Sequence, residues 1–223
     1  MNLLNKIFAV CCIVLASCAT TQHREGSIST ELENIYLSSV TVSDSADSQG
    51  SGTIIYNKAG EHIVVLTAAH VVEGIQEDGK KIYISTGFDK INREMSVYKI
   101  DFKLDLALLR GVTTEKRSGP FVKISTQVPN IGDDVWVIGC PMGADRTVTK
   151  GIISNFAEHE GKTLYRTTAD IYDGNSGGGM FNKNKELIGV AHGVLEVRRS
   201  MFFSQLVPGG FFFVGLENIR QFM

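Results

Sequence analysis

The chain has 223 residues, 43% of them hydrophobic, which suits one domain with an ordinary core plus an appendage. Twenty-two Lys and Arg stand against 24 Asp and Glu, and the net charge of −2 gives no attractive field for a nucleic acid. No phosphate-binding glycine loop and no paired Cys/His spacing occurs, so the sequence calls for no metal and no cofactor.

In chain order, Lys6 comes first, followed by the apolar run Ile7–Ala16. That run falls short of the roughly 20 residues a membrane-crossing helix needs. Residues 1–17 have the proportions of a signal peptide. The polar stretch over residues 18–34 predicts a tether, and residues 35–223 predict the folded domain.

From Ile35 the chain becomes short β-prone runs broken by Gly, Asn and Asp. Strands are expected at Tyr36–Val42, Gly52–Tyr56, His62–Thr67, Lys81–Ser85, Val97–Asp101 and Leu106–Arg110. Further strands are expected at Phe121–Ile124, Asp134–Gly139, Thr147–Asn155, Thr163–Ala169, Gly178–Phe181, Leu187–Ala191 and Phe202–Val207. Residues 215–222 predict a short closing helix, and no internal repeat is present. So many short strands make an all-β sandwich or barrels.

The segment Gly174-Asn175-Ser176-Gly177-Gly178 carries the most chemistry. A serine in a side-chain-poor turn leaves its hydroxyl open and lets bare amides converge beside it, as an oxyanion requires. Such glycine pairs also mark ordinary turns, so the segment needs a base and an orienting acid elsewhere. Of the five histidines, His70 stands at the tip of the apolar run Ile63-Val64-Val65 and Leu66-Thr67-Ala68-Ala69, with Val71-Val72-Glu73-Gly74 closing a turn behind it. Asp105 opens the run Leu106-Ala107-Leu108-Leu109, where a carboxylate is half buried, whereas its neighbour Asp101 has more polar surroundings.

The order His70, Asp105, Ser176 separates this chain from hydrolases in which the serine comes first. Here the sequence resembles the trypsin-like serine proteases, and more closely their HtrA (DegP-like) branch, over roughly residues 36 to 222. Thr67-Ala68-Ala69-His70, Asp105-Leu106-Ala107-Leu108 and Gly174-Asn175-Ser176-Gly177-Gly178 are similar to that branch's three motifs. Val137-Ile138-Gly139-Cys140-Pro141-Met142-Gly143 is similar to a fourth, departing from it at Cys140. The resemblance implies two six-stranded antiparallel β-barrels with the site between them, and a serine endopeptidase without the PDZ domains that many HtrA proteins carry. It implies Ser176 as nucleophile, His70 as base, Asp105 as its orienting acid, and the N–H groups of Gly174 and Ser176 as oxyanion hole. Asn175 stands where zymogen-type trypsins carry an aspartate, so activation by N-terminal cleavage is not expected.

Substrate choice stays open. Asp170, six residues before Ser176, holds the position of trypsin's acidic pocket base. His192, in Gly189-Val190-Ala191-His192-Gly193, is near a histidine that reads acidic residues in glutamyl endopeptidases. Leu15-Ala16-Ser17-Cys18 resembles the bacterial lipobox, implying cleavage before Cys18, its acylation, and an envelope protein anchored on the periplasmic side. Cys140 is then the only other thiol, so no internal disulfide forms. The partners expected are protein or peptide substrates, unfolded chains among them, the membrane through Cys18, no nucleic acid, and a possible further copy of the chain. The rival reading is a lipid-anchored trypsin-like domain that binds unfolded or partner proteins without cutting them.

Overall fold

A computed structural model describes residues 27–44, 48–77, 80–86, 92–113, 119–140, 146–200 and 203–223. The expected signal peptide, Cys18 and residues 18–26 of the tether lie outside the described residues, as do Pro141, Met142 and Gly143.

Six strands form the first barrel: β1 (Ser39–Ser43), β2 (Ser48–Asn57), β3 (His62–Thr67), β4 (Ile82–Thr86), β5 (Asn92–Asp101) and β6 (Leu106–Val112). They close in the order β1-β2-β3-β6-β5-β4, every neighbouring pair antiparallel. The second barrel contains β7 (Asp134–Gly139), β8 (Thr147–His159), β9 (Lys162–Thr167), β10 (Gly179–Phe181), β11 (Leu187–Ser200) and β12 (Phe203–Gly215). It closes as β10-β11-β12-β9-β8-β7, again antiparallel throughout. Closure leaves neither sheet an unpaired edge. Three helices complete the described structure: α1 (Glu33–Leu37), α2 (Ala69–Glu77) and α3 (Leu216–Phe222).

Period-two alternation sets the barrel interiors. In β1, Val40 and Val42 are fully buried while Thr41 and Ser43 are half-exposed. The first interior is built from Val40, Val42, Ile54, Val65, Ile84 and Leu109. The second rests on Val137, Ile153, Tyr165, Met180, Ile188 and Phe213.

Four expectations are corrected. Tyr36 lies in α1 rather than in the first strand, because Ile35 anchors a helical turn to the barrel and Ser39 Oγ donates to the Ile35 carbonyl at 2.9 Å. Packing begins with Leu32, just before α1 and inside the stretch expected as tether. Residues 121–124 make no strand, only a single parallel bridge between Ile124 and Leu187. The residues after His70 continue as helix α2 instead of closing a turn.

Candidate active site

The site forms where the two barrels meet, from three loops or strand ends. His70 is the second residue of α2, so its backbone N–H is one of the first-turn donors that a helix leaves without an internal acceptor. Asp105 supplies that acceptor: its Oδ1 receives the His70 N–H at 2.9 Å. The same carboxylate lies against the ring, with His70 Nδ1 at 3.0 Å from Oδ1 and 2.9 Å from Oδ2. One side chain thus caps the helix and fixes the imidazole it carries.

Asp105 reaches this place through the β5–β6 hairpin. It has φ of 56°, a left-handed conformation uncommon outside glycine and asparagine, immediately before β6. Asp101, its weaker rival in sequence, plays another part. Its Oδ1 accepts the Leu104 N–H at 2.9 Å and shapes the turn that presents Asp105.

Only 7% of the Asp105 side chain is exposed, against 42% of His70. Burial is the largest single influence on its carboxyl and opposes ionisation. Hydrogen bonds from the His192 and His70 side chains, the nearby His70 ring and the His70 N–H together outweigh it, holding the carboxyl far below the usual carboxylate range. An ionised carboxylate only accepts, so the hydrogen-bond network assigns the His70 proton to Nδ1. Its Nε2 is left with a lone pair.

The turn that carries Ser176 is fixed by glycine. Gly174 and Gly177 have φ of 91° and 81°. A methyl group on Gly177 would stand 2.2 Å from both the Ser51 carbonyl and Thr67 Oγ1, and 3.0 Å from the Ala68 nitrogen. The turn is therefore pressed against the strand end that leads into His70. Asn175, Gly177 and Gly178 donate their N–H groups to the Tyr172, Ala191 and Asn175 carbonyls at 3.0, 2.8 and 2.8 Å. Among the described residues, the N–H groups of Gly174 and Ser176 have no acceptor, which leaves two amides of alternate residues free beside the serine. The Ser176 hydroxyl is half-buried and has no hydrogen bond to His70 within 3.5 Å.

Sequence reading missed Ser51, which joins the barrels. Its N–H donates to the Ser176 carbonyl at 2.7 Å, and its hydroxyl donates to the Gly174 carbonyl at 2.7 Å. The same hydroxyl accepts the Cys140 N–H at 2.8 Å, and the Ser51 carbonyl accepts Thr67 Oγ1 at 2.6 Å. The available signal was Gly50-Ser51-Gly52: glycines inside a strand mark a close approach of another backbone. A methyl on Gly50 would meet the Ser176 carbonyl at 2.8 Å.

The two expected pocket residues lie in different surroundings. Asp170 is exposed, and its carbonyl, not its carboxylate, is engaged, by Thr149 Oγ1 at 2.8 Å. His192 points to Asp105, with Nδ1 2.5 Å from Oδ2. The β11–β12 register shifts between Ala191 and Gly193, so His192 is the unpaired residue of a β-bulge and its ring is re-aimed. A cleft of about 430 Å³ opens on this face, lined by His70, Glu73, Phe102, Asp105, Lys162 and His192.

Residues 50–190 match the family model described as a trypsin-like peptidase domain. A "Probable periplasmic serine endoprotease DegP-like" of Pseudomonas putida (strain W619) is 34% identical over 154 residues, covering 65% of this chain and 29% of that protein. A "Serine protease HtrA-like" of Staphylococcus epidermidis (strain ATCC 35984) is 26% identical over 207 residues, covering 85% of this chain and 33% of that protein. The chain thus spans a third or less of these relatives' lengths. The solved serine endoprotease from Yersinia pestis superposes with a TM-score of 0.65 at 27% identity, over 86% of this chain and 63% of that one.

The geometry sets two measurable outcomes. Ser51→Ala removes the hydroxyl that holds the Gly174 carbonyl and should cost roughly 1–3 kcal/mol, read as a lower denaturant midpoint with an unchanged slope. The Asp105 carboxyl is depressed on folding, so its stabilisation is fully present above the unfolded value of about 3.9 and is lost as the pH falls toward the lower folded value. The gap in stability between the parent and Asp105→Asn should therefore be widest near neutrality and narrow below about pH 4.

Proposed function

We propose that this chain, which belongs to the trypsin-like peptidase domain family, is a serine endopeptidase working through Ser176, His70 and Asp105. The observation that carries this reading is the His70–Asp105 pairing, with Nδ1 within 3.0 Å of both carboxylate oxygens, beside a serine turn wedged against Thr67 and Ala68.

In this reading Ser176 Oγ attacks the peptide carbonyl as its proton passes to His70 Nε2. The developing imidazolium is stabilised by Asp105, which stays ionised. The N–H groups of Gly174 and Ser176 hold the oxyanion. Collapse of the tetrahedral species passes the proton from His70 to the leaving amine and leaves an ester on Ser176. A water, deprotonated by the same imidazole, then attacks that ester and releases the acid. The two free amides favour this role, because each of the other N–H groups in the turn already has an acceptor.

Activation by a newly cut N-terminus would lack the ion pair that an aspartate at position 175 supplies. Asn175 is buried, its side chain packed against Gly139, and its neutral carboxamide forms no ion pair with an α-amino group. Ordering of the oxyanion hole falls instead to Ser51, through the Gly174 and Ser176 carbonyls. Substrates are protein chains. The P. putida relative is named periplasmic, which agrees with an envelope location reached through Cys18.

Purified Ser176→Ala should keep the parent's fold by circular dichroism and lose hydrolysis of unfolded casein by several orders of magnitude. Equal rates in the two proteins would exclude Ser176 as nucleophile. For the anchor, cells expressing the full chain should incorporate labelled palmitate, and Cys18→Ala should abolish that incorporation. A fully unlabelled parent would remove the lipid anchor.

A further inference from the structure

Lys162 carries a charge into the protein with nothing there to neutralise it. The residue is only 5% exposed. Among the described residues its ammonium makes no hydrogen bond and no ion pair. Lysines are almost never buried so deeply without a partner, because an unpaired charge taken out of water is costly. The side chain is not sealed in, however. It lines the cleft of about 430 Å³ that it shares with His70, Phe102, Asp105 and His192.

The backbone fixes this placement. Glu160 and Gly161 have φ of 51° and 76°, the left-handed pair of a two-residue hairpin turn between β8 and β9. The turn sets Lys162 opposite His159. Side chains two apart in a strand share a face, so Lys162 points the same way as Leu164. Leu164 is 4% exposed and joins the apolar cluster that both barrels share. Lys162 is thereby directed into the barrel junction and not at bulk solvent.

The rest of the cleft suits an anion on an apolar stem. Phe102, 56% exposed, gives it an aromatic wall. Lys103 adds a second positive charge against the same hairpin, its Cε 3.9 Å from where a methyl group on Gly161 would lie. The acidic groups nearby do not supply the missing counter-charge. Asp105 has both oxygens engaged by His70 and His192. Glu73, on the cleft, is exposed and forms no ion pair with Lys162. The hairpin's own Glu158 and Glu160 lie against Thr163 and His159. Residues 174–178 do not line the cleft, so its occupant is a neighbour of the residue that acylates Ser176.

On the peptidase reading above, we propose that this cleft is a substrate subsite for an acidic side chain, read by Lys162. A glutamate or aspartate flanking the scissile residue enters beside His70, lays its methylenes on Phe102 and brings its carboxylate to the ammonium. The charge-assisted bond forms where water is already largely excluded, so it discriminates more strongly than a surface ion pair.

The test follows cleavage and binding with the full-length protein. The probes are fluorescein-labelled octapeptides of one casein segment, carrying Glu, Gln or Lys at each position in turn. In the parent, kcat/KM should be about 10-fold or more higher for Glu than for Gln at one position other than the scissile residue itself. Lys162→Met should bring that ratio close to one, and Lys162→Arg should keep most of it. Lys162→Glu should favour Lys at the same position. Ser176→Ala supplies a readout that needs no turnover: its affinity by fluorescence anisotropy should show the same preference and lose it when Lys162→Met is added. Equal rates for Glu and Gln peptides at every position would overturn the proposal. So would an acidic preference confined to the scissile residue, or one that survives in Lys162→Met. A parent that cuts no peptide, while Ser176→Ala binds Glu peptides more tightly only when Lys162 is present, would instead sink the peptidase reading and leave the subsite standing. Absence of both cleavage and binding preference would remove the two together.

Discussion

Asp105 holds a negative charge almost out of reach of water, and the rest of the site is arranged around keeping it there. An unpaired buried carboxylate costs several kcal/mol, about as much as a small domain's whole margin of stability. Here it is offset by three donors, the His70 N–H, His70 Nδ1 and His192 Nδ1. The charge in turn starts helix α2, fixes the His70 tautomer and ties the two barrels together. Remove it and the helix loses a cap, the imidazole loses its orientation, and the bulge at His192 has nothing to aim at.

The second constraint is backbone proximity at the barrel junction. Gly50, Gly139 and Gly177 sit where a methyl group would strike the Ser176 carbonyl, the Asn175 side chain, or Ser51 and Thr67. Ser51 turns this closeness into directed bonds, with its N–H and hydroxyl on two carbonyls of the serine turn. A turn held through its carbonyls presents its remaining N–H groups in a fixed direction. That gives a trypsin-type serine turn a way to stay ordered without an N-terminal ion pair.

Much of this was legible from residues alone, for identifiable reasons. His62–Thr67 and Asp134–Gly139 are read to the residue, because strong apolar runs bounded by polar or glycine positions leave little choice of register. The pairing of His70 with Asp105 follows from two side chains at the ends of adjacent buried strands, β3 and β6. Local pattern failed where tertiary contacts decide. Tyr36 is β-prone, yet it is helical because Ile35 is the anchored residue. Phe121–Ile124 has strand composition but a single bridging partner. His192 lies on a strand whose simple alternation would wall a pocket, and a one-residue bulge, invisible in the sequence, turns it to Asp105.

If Ser176 is a nucleophile activated through the charge on Asp105, it reacts with a fluorophosphonate probe whatever its natural substrate. Peptide mass spectrometry of the labelled protein should find a single adduct on Ser176, formed orders of magnitude more slowly in Asp105→Asn and absent in His70→Ala. No adduct on Ser176 in the folded parent, or one formed equally fast in all three proteins, would show that the charge on Asp105 activates no nucleophile.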